Sequence, residues 1–178
     1  MADRCNPISG KPKQPPITIG PDLGAVPDVK RHTNQDTIDT PLTGDGSAAL
    51  APYTFPVAGY VTRFSVRGWA EGGGAGISFI IVRPRPGRRY LALQYAGNFI
   101  LPGQDGITTY RTTYGVPVQP GDTFGVYNNG GVDWHIFSSA GPGTFEHQEL
   151  TLDEGESWSP DLLAGTQTLV NATVNPNG

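Results

Sequence analysis

Val116-Pro117-Val118-Gln119-Pro120-Gly121-Asp122-Thr123-Phe124-Gly125-Val126 is the stretch that decides the fold. Apolar residues run up to Pro120-Gly121, a dipeptide that turns the chain: proline fixes φ, and glycine admits the positive φ of a tight turn. Beyond the turn, Phe124 and Val126 alternate with Thr123 and Gly125, so a strand with one apolar face restarts at once. The unit is strand, Pro-Gly turn, strand.

The same period-2 rhythm recurs in both directions. ITTYRTTY (107–114) sets Thr108, Tyr110, Thr112 and Tyr114 against Thr109, Arg111 and Thr113. RYLALQYA (89–96) puts Leu91, Leu93 and Tyr95 on one side, and GISFIIVR (76–83), apolar on both faces, reads as a central strand. Thr62, Phe64 and Val66 face opposite to Arg63, Ser65 and Arg67. Downstream, DTFGVYN (122–128) and DWHIFSS (133–139) flank Asn128-Asn129-Gly130-Gly131, a hairpin signal. TFEHQELTL (144–152) and TQTLVNATV (166–174) complete the set. Helical periodicity is absent; Ser159 to Gly165 carries a cap, a first-turn proline and a closing glycine, enough for a single turn. Roughly eight strands joined by Gly/Pro loops fit an all-β, antiparallel two-sheet β-sandwich, with a jelly roll as its topology. The 25 Gly and 17 Pro punctuate apolar runs rather than replace them.

The N-terminal region differs. All seventeen Phe, Tyr and Trp lie at or beyond Tyr53. Pro7, Pro12, Pro15, Pro16, Pro21, Pro27 and Pro41 favour extended backbone, and the scattered aliphatics cannot offset the entropy of ordering the segment by itself. The expected division is an extended, Pro-rich N-terminal arm over residues 1–45 and a sandwich domain over 46–178. Such an arm needs a neighbour, and Ile17, Ile19 and Ile38 are the positions expected to insert into one, by strand addition to a sheet edge.

The segment around Pro120-Gly121-Asp122 resembles the turn found in jelly-roll domains of the TNF/C1q type, in bacterial surface β-sandwiches and in virion decoration proteins. That resemblance implies architecture. Jelly rolls host many roles, so function has to come from sites.

Catalytic sites are hard to assemble. Cys5 lies in the arm without a base beside it, and a single cysteine excludes an internal disulfide. His135 and His147 with Asp133, Glu146 and Glu149 have no metal-ligand spacing, and Asp153-Glu154-Gly155-Glu156 lacks the calcium-loop pattern. Gly72-Gly73-Gly74 precedes a strand, where a phosphate loop would need a helix. The chain therefore reads as non-enzymatic, with no cofactor and no metal. A net charge of −4 gives nucleic-acid binding no global support, and no apolar run is long enough to span a membrane. The N-terminus has no apolar leader, and without one the sequon Asn171-Ala172-Thr173 reads as chance.

Two surfaces stand out. Arg83, Arg85, Arg88 and Arg89 cluster in one connection, whereas from Asp133 onward there are acids and no Lys or Arg. Arginine pairs with carboxylates in bidentate fashion, so this cluster reads either as a solvated turn or as a contact with an acidic neighbour. Trp69, Tyr110, Tyr114, Trp134 and Trp158 are either core or an exposed aromatic row for sugar. Three functions follow as expectations. The first is a virion structural protein, a capsid decoration or minor capsid protein of a bacterial virus, bound to capsid proteins or to copies of itself. The second is a carbohydrate-binding or adhesion module. The third is a filament or surface-layer subunit that exchanges arms. The expected location is the virion, or a cell exterior reached without a leader.

Overall fold

A computed structural model describes residues 13–32, 37–43, 51–72, 76–86, 89–128, 133–139, 141–148, 157–158 and 161–177. Cys5, Arg88 and the Asp153–Glu156 loop lie outside them, as do the side chains of His147 and Trp158. The strands are β1 (Ile17–Ile19), β2 (Val29–His32), β3 (Thr37–Thr43), β4 (Ala51–Pro52), β5 (Gly59–Arg67) and β6 (Trp69–Ala70). The long central ones follow: β7 (Gly76–Arg85), β8 (Arg89–Ile100), β9 (Ile107–Val118) and β10 (Thr123–Asn128). The chain continues through β11 (Asp133–Ser138), β12 (Gly143–Gln148), β13 (Ser157–Trp158), β14 (Asp161–Ala164), β15 (Gln167–Thr168) and β16 (Val170–Asn175).

These form an all-β sandwich. One sheet runs β1-β16-β5-β9; the facing sheet runs β13-β8-β7-β10-β3-β12-β14, with β4 beside β3; a small third sheet, β15-β11-β2 with β6 on β11, adds to them. Every pairing is antiparallel. The main core lies where Val61, Phe64 and Val66 of β5 and Ala172 and Val174 of β16 meet Ile77, Phe79 and Ile81 of β7 and Phe124 and Val126 of β10. Phe64 stacks on Phe79 with ring centres 4.3 Å apart. Trp134, Ile136 and Phe137 of β11 join this core. Burial of each large side chain contributes about 1.5–3 kcal/mol.

β7 is the central strand its double apolar face implies. Its Ile80 and Val82 belong to a second cluster with Ile38, Tyr90 and Ala92, flanked by Tyr127 and Phe145. Four strand steps separate β8 from β12, about 19 Å if the sheet were flat, yet the rings of Tyr90 and Phe145 are 5.9 Å apart. The sheet therefore curls around this second core. Gly125, opposite Ile80, lies within the curl; a Cβ there would stand 3.0 Å from the Asp39 carbonyl and from the Thr40 hydroxyl. Burial raises the Tyr90 phenol to about 12.

Several expectations need correction. The described part of the arm is woven into the chain's own sheets: β1 pairs β16, β2 pairs β11, and β3 lies between β10 and β12. Ile38 is buried at 2% exposure, and Ile17 and Ile19 pack on the main core. The segment's own apolar content is too small to order it, but a strand inside a sheet shares a core built by others. The expected boundary at residue 45 lies outside the described residues. β10 and β11 form no hairpin; they belong to different sheets, because a glycine-rich turn sets a change of direction and not a partner. Asp161–Ala164 is a strand on β12 rather than a helical turn. In β8, Tyr90 and Ala92 are buried in the second core while Leu93 packs on the first, so the strand has two apolar faces and not one.

Candidate functional site: the β8–β9 edge

The Pro-Gly turn anchors this edge. Gly121 takes φ +89°, its N–H donates to the Phe55 carbonyl at 2.9 Å, and the Phe55 N–H donates to the Asp122 carbonyl at 2.8 Å. The Asp122 carboxylate is buried at 1% exposure, accepts the Gln119 N–H at 2.8 Å and accepts both Nε and an Nη of Arg83 at 2.6 and 2.9 Å. That carboxylate holds the Arg83 guanidinium above its usual range. Arg83, expected at a partner surface, is thus committed to its own chain. Arg85 and Arg89 sit opposite each other at the hairpin base.

β9 is the last strand of its sheet, and it departs from regular pairing. Ile107 to Arg111 pair with β5 from Arg67 to Arg63, and Val116 to Val118 pair with Val61 to Gly59. Between Arg63 and Val61 stands only Thr62, whereas Thr112, Thr113, Tyr114 and Gly115 intervene on β9. The excess bulges outward. Thr112 patches the ladder by donating its hydroxyl to the Val61 carbonyl at 2.8 Å. Gly115 takes φ +72°, and a Cβ there would lie 2.9 Å from Tyr60 Cβ. Tyr114 is left at 92% exposure, the most exposed large apolar side chain described.

Two depressions border this bulge. One, of about 280 Å³, is lined by Phe99, Arg111, Thr113, Tyr114 and Gln94 among others. The other, of about 450 Å³, shares Gln94 and is lined by Tyr60, Leu93, Arg83 and Pro117. Together they run along the mouth between β8 and β9.

Of the five aromatics named from the sequence, the four with described side chains do not form a row. Trp134 is fully buried edge-on to Phe137, and Trp69 stacks on His135 with ring centres 4.2 Å apart. Tyr110 donates its hydroxyl to the Ile100 carbonyl at 2.6 Å and lies between Phe79 and Phe99, where burial raises its phenol above the ordinary range. The backbone of Trp158 pairs with Tyr90 on β8. Of the four whose side chains are described, Tyr114 alone is presented.

A charged cluster occupies the third sheet. Lys30 bridges Glu71 at 2.9 Å and Asp133 at 2.6 Å, and His135 approaches Glu71 at 3.3 Å. Hydrogen bonds donated to Asp133, then Glu71, raise the pKa of the Lys30 ammonium; Lys30, then His135, lowers that of the Glu71 carboxyl. Asp133 and His135 lie on β11 while Glu146 and His147 lie on β12 in another sheet, so the strands keep those candidate ligands apart. Among the described residues no three His, Cys, Asp or Glu side chains gather as a metal site would require.

No family model, curated protein or solved structure matches the chain. Its function has to be read from its own surfaces.

The bulge was missed from the sequence, although Gly115 interrupts an alternating run and marks such a feature. Tyr60, Gln94 and Phe99 carried no signal of their own, since only the pairing of distant strands brings them to one mouth.

Proposed function

We propose that the chain is a non-enzymatic structural protein that acts by lateral contact in a larger assembly, with the β8–β9 edge as its contact surface. The setting this reading favours is a virion, where the chain would decorate or complete a shell, and the strand rhythm supports a jelly-roll kinship with such proteins. The observation that carries the reading is the bulge at 112–115, which gives up regular pairing to hold Tyr114 out at 92% exposure. Arg83, which lines the larger depression, is spent on pinning the fold through Asp122. Beside Tyr114 the outer edge of β9 has no strand partner among the described residues, so its backbone groups are open to a neighbour. Weak contacts of this kind sum over a lattice. The stapling role expected of Ile17, Ile19 and Ile38 passes to this edge.

Sedimentation velocity across a concentration series tests it, on the wild type and on Tyr114→Ser. The wild type should assemble as concentration rises and the variant should stay monomeric. A wild type that remains monomeric throughout, or a variant that assembles equally well, rules out lateral self-contact. A carbohydrate-binding reading has one observation of its own, the exposed Tyr114 ring beside Gln94 and Thr113 in the smaller depression.

A further inference from the structure

The outer face of the β1-β16-β5-β9 sheet carries three arginines, and they are treated differently. Arg67 is satisfied: Nε and an Nη engage both oxygens of Asp105 at 3.3 and 3.0 Å, and its other Nη donates to the Leu23 and Gly24 carbonyls at 3.3 and 2.7 Å. Arg63 and Arg111 stand directly opposite each other on β5 and β9, both exposed, and among the described residues neither meets a carboxylate. Like charges in register on neighbouring strands repel, and a sheet gains nothing from such a pair by itself.

The surroundings are those of a polar binding face. One row across all four strands reads Thr18, Thr173, Arg63, Arg111. Beside it runs a second row of Asn171, Ser65 and Thr109. Thr18 and Thr173 share a hydroxyl hydrogen bond at 3.0 Å, and Ser65 and Thr109 share one at 2.9 Å, so each pair keeps acceptor capacity for a further partner. Thr18, Thr173 and Arg63 of the first row and all of the second line a shallow depression of about 410 Å³, and Arg111 stands beside it on β9. The acid at its rim, Asp22, turns one carboxylate oxygen onto the Gly24 N–H at 2.8 Å.

We propose that this face binds an acidic polysaccharide, with Arg63 and Arg111 taking a sulfate or carboxylate group and the Thr, Ser and Asn rows taking sugar hydroxyls. An anion between the two guanidiniums turns their repulsion into two charge-assisted contacts. The exposed face, rich in hydroxyls and amides and with only two free arginines among its described residues, matches a sugar chain better than the phosphate spine of a duplex, which is bound through many cationic contacts. The arginine pair sits on the outer face of the sheet, with Arg111 also bordering the depression beside Tyr114, and the proposal does not rest on the assembly reading.

The test is binding of the full chain to heparin (sulfated), polygalacturonate (carboxylated), neutral dextran and a DNA duplex, at several salt concentrations. Retention is expected on one or both acidic glycans, falling as salt rises, with none on dextran. Retention on heparin alone assigns the pair to sulfate, and retention on polygalacturonate assigns it to carboxylate. Arg63→Gln and Arg111→Gln should each weaken binding on the order of tenfold. Circular dichroism of the variants checks that they fold, which the exposure of both arginines favours. The proposal is overturned by no retention on either acidic glycan, by DNA binding as strong as glycan binding, or by retention that survives the double variant. Loss of binding in Tyr114→Ser alone would move the sugar site to the edge and overturn it equally.

Discussion

β9 ends in two irregularities only a few residues apart, and they are built in opposite ways. The Pro120–Asp122 turn draws its polar group inward: Asp122 is buried, holds Arg83 with two hydrogen bonds and ties the turn to Gln119 and Phe55. The 112–115 bulge drives its largest side chain outward and is held by one side-chain bond, from Thr112 to Val61. A loop needed for architecture is over-determined by internal bonds. The bulge, proposed as a contact, is held by far fewer bonds and presents its side chain to solvent. The contrast teaches that the polar turn, the most recognisable piece of this sequence, belongs to folding, whereas the proposed contact surface lies in a stretch with no motif.

Breaking the turn should have the largest effect. Asp122→Ala removes the acceptor for Arg83 and for the Gln119 N–H at once and leaves a guanidinium that is only partly open to water, at 32% exposure. Removing one partner of a buried pair typically costs about 3–5 kcal/mol; the partial exposure of Arg83 places this case at about 3 kcal/mol. Urea unfolding monitored by tryptophan fluorescence would read it. A loss below about 1 kcal/mol, the level of one ordinary hydrogen bond, would mean that the turn is no better anchored than the bulge, and the comparison would fail.

Gly115→Ala strikes the bulge. Alanine at φ +72° meets the left-handed penalty of about 1–2 kcal/mol, and its Cβ would crowd Tyr60 at 2.9 Å. The expected loss is roughly 2 kcal/mol, with a change in the environment of Tyr114 that near-ultraviolet circular dichroism would detect. An unchanged melt would mean that the bulge rearranges freely and holds Tyr114 in no fixed position. Thr112→Val, close in shape, deletes only the bond to the Val61 carbonyl and should cost about 1 kcal/mol, read in the same urea series.

The difference between the two irregularities also explains what the sequence disclosed. The turn was legible because its chemistry is local: proline, glycine, aspartate and a restarting alternation all lie within one stretch. β7 was legible for the same reason, since six consecutive buried residues leave no polar face to doubt. What stayed hidden depends on pairing between distant strands. β3 gives no local hint that it lies between β10 and β12, and Asn128-Asn129-Gly130-Gly131 marks a change of direction without saying that the next strand leaves the sheet. Trp134 and Tyr114 look alike in sequence as aromatics in alternating runs. One is fully buried and the other almost fully exposed because a register shift occurs in β9.

The smallest expected effect on stability is the most informative one. Tyr114 makes no ring contact among those resolved and stands at 92% exposure, so Tyr114→Ser removes almost no buried surface, and its stability should stay within about 0.5 kcal/mol of the wild type. If the side chain is held out for a partner, the loss appears only when a partner is present, as a change in assembly with the urea midpoint unmoved. The paired outcome separates the alternatives. Stability lost with assembly intact would make the ring a structural prop for the bulge. Both unchanged would leave the bulge as an irregularity of the edge that blocks unwanted strand pairing, as distorted edges do in other sheets. Assembly lost at constant stability is the result that divides β9 into a turn made for folding and a bulge made for contact.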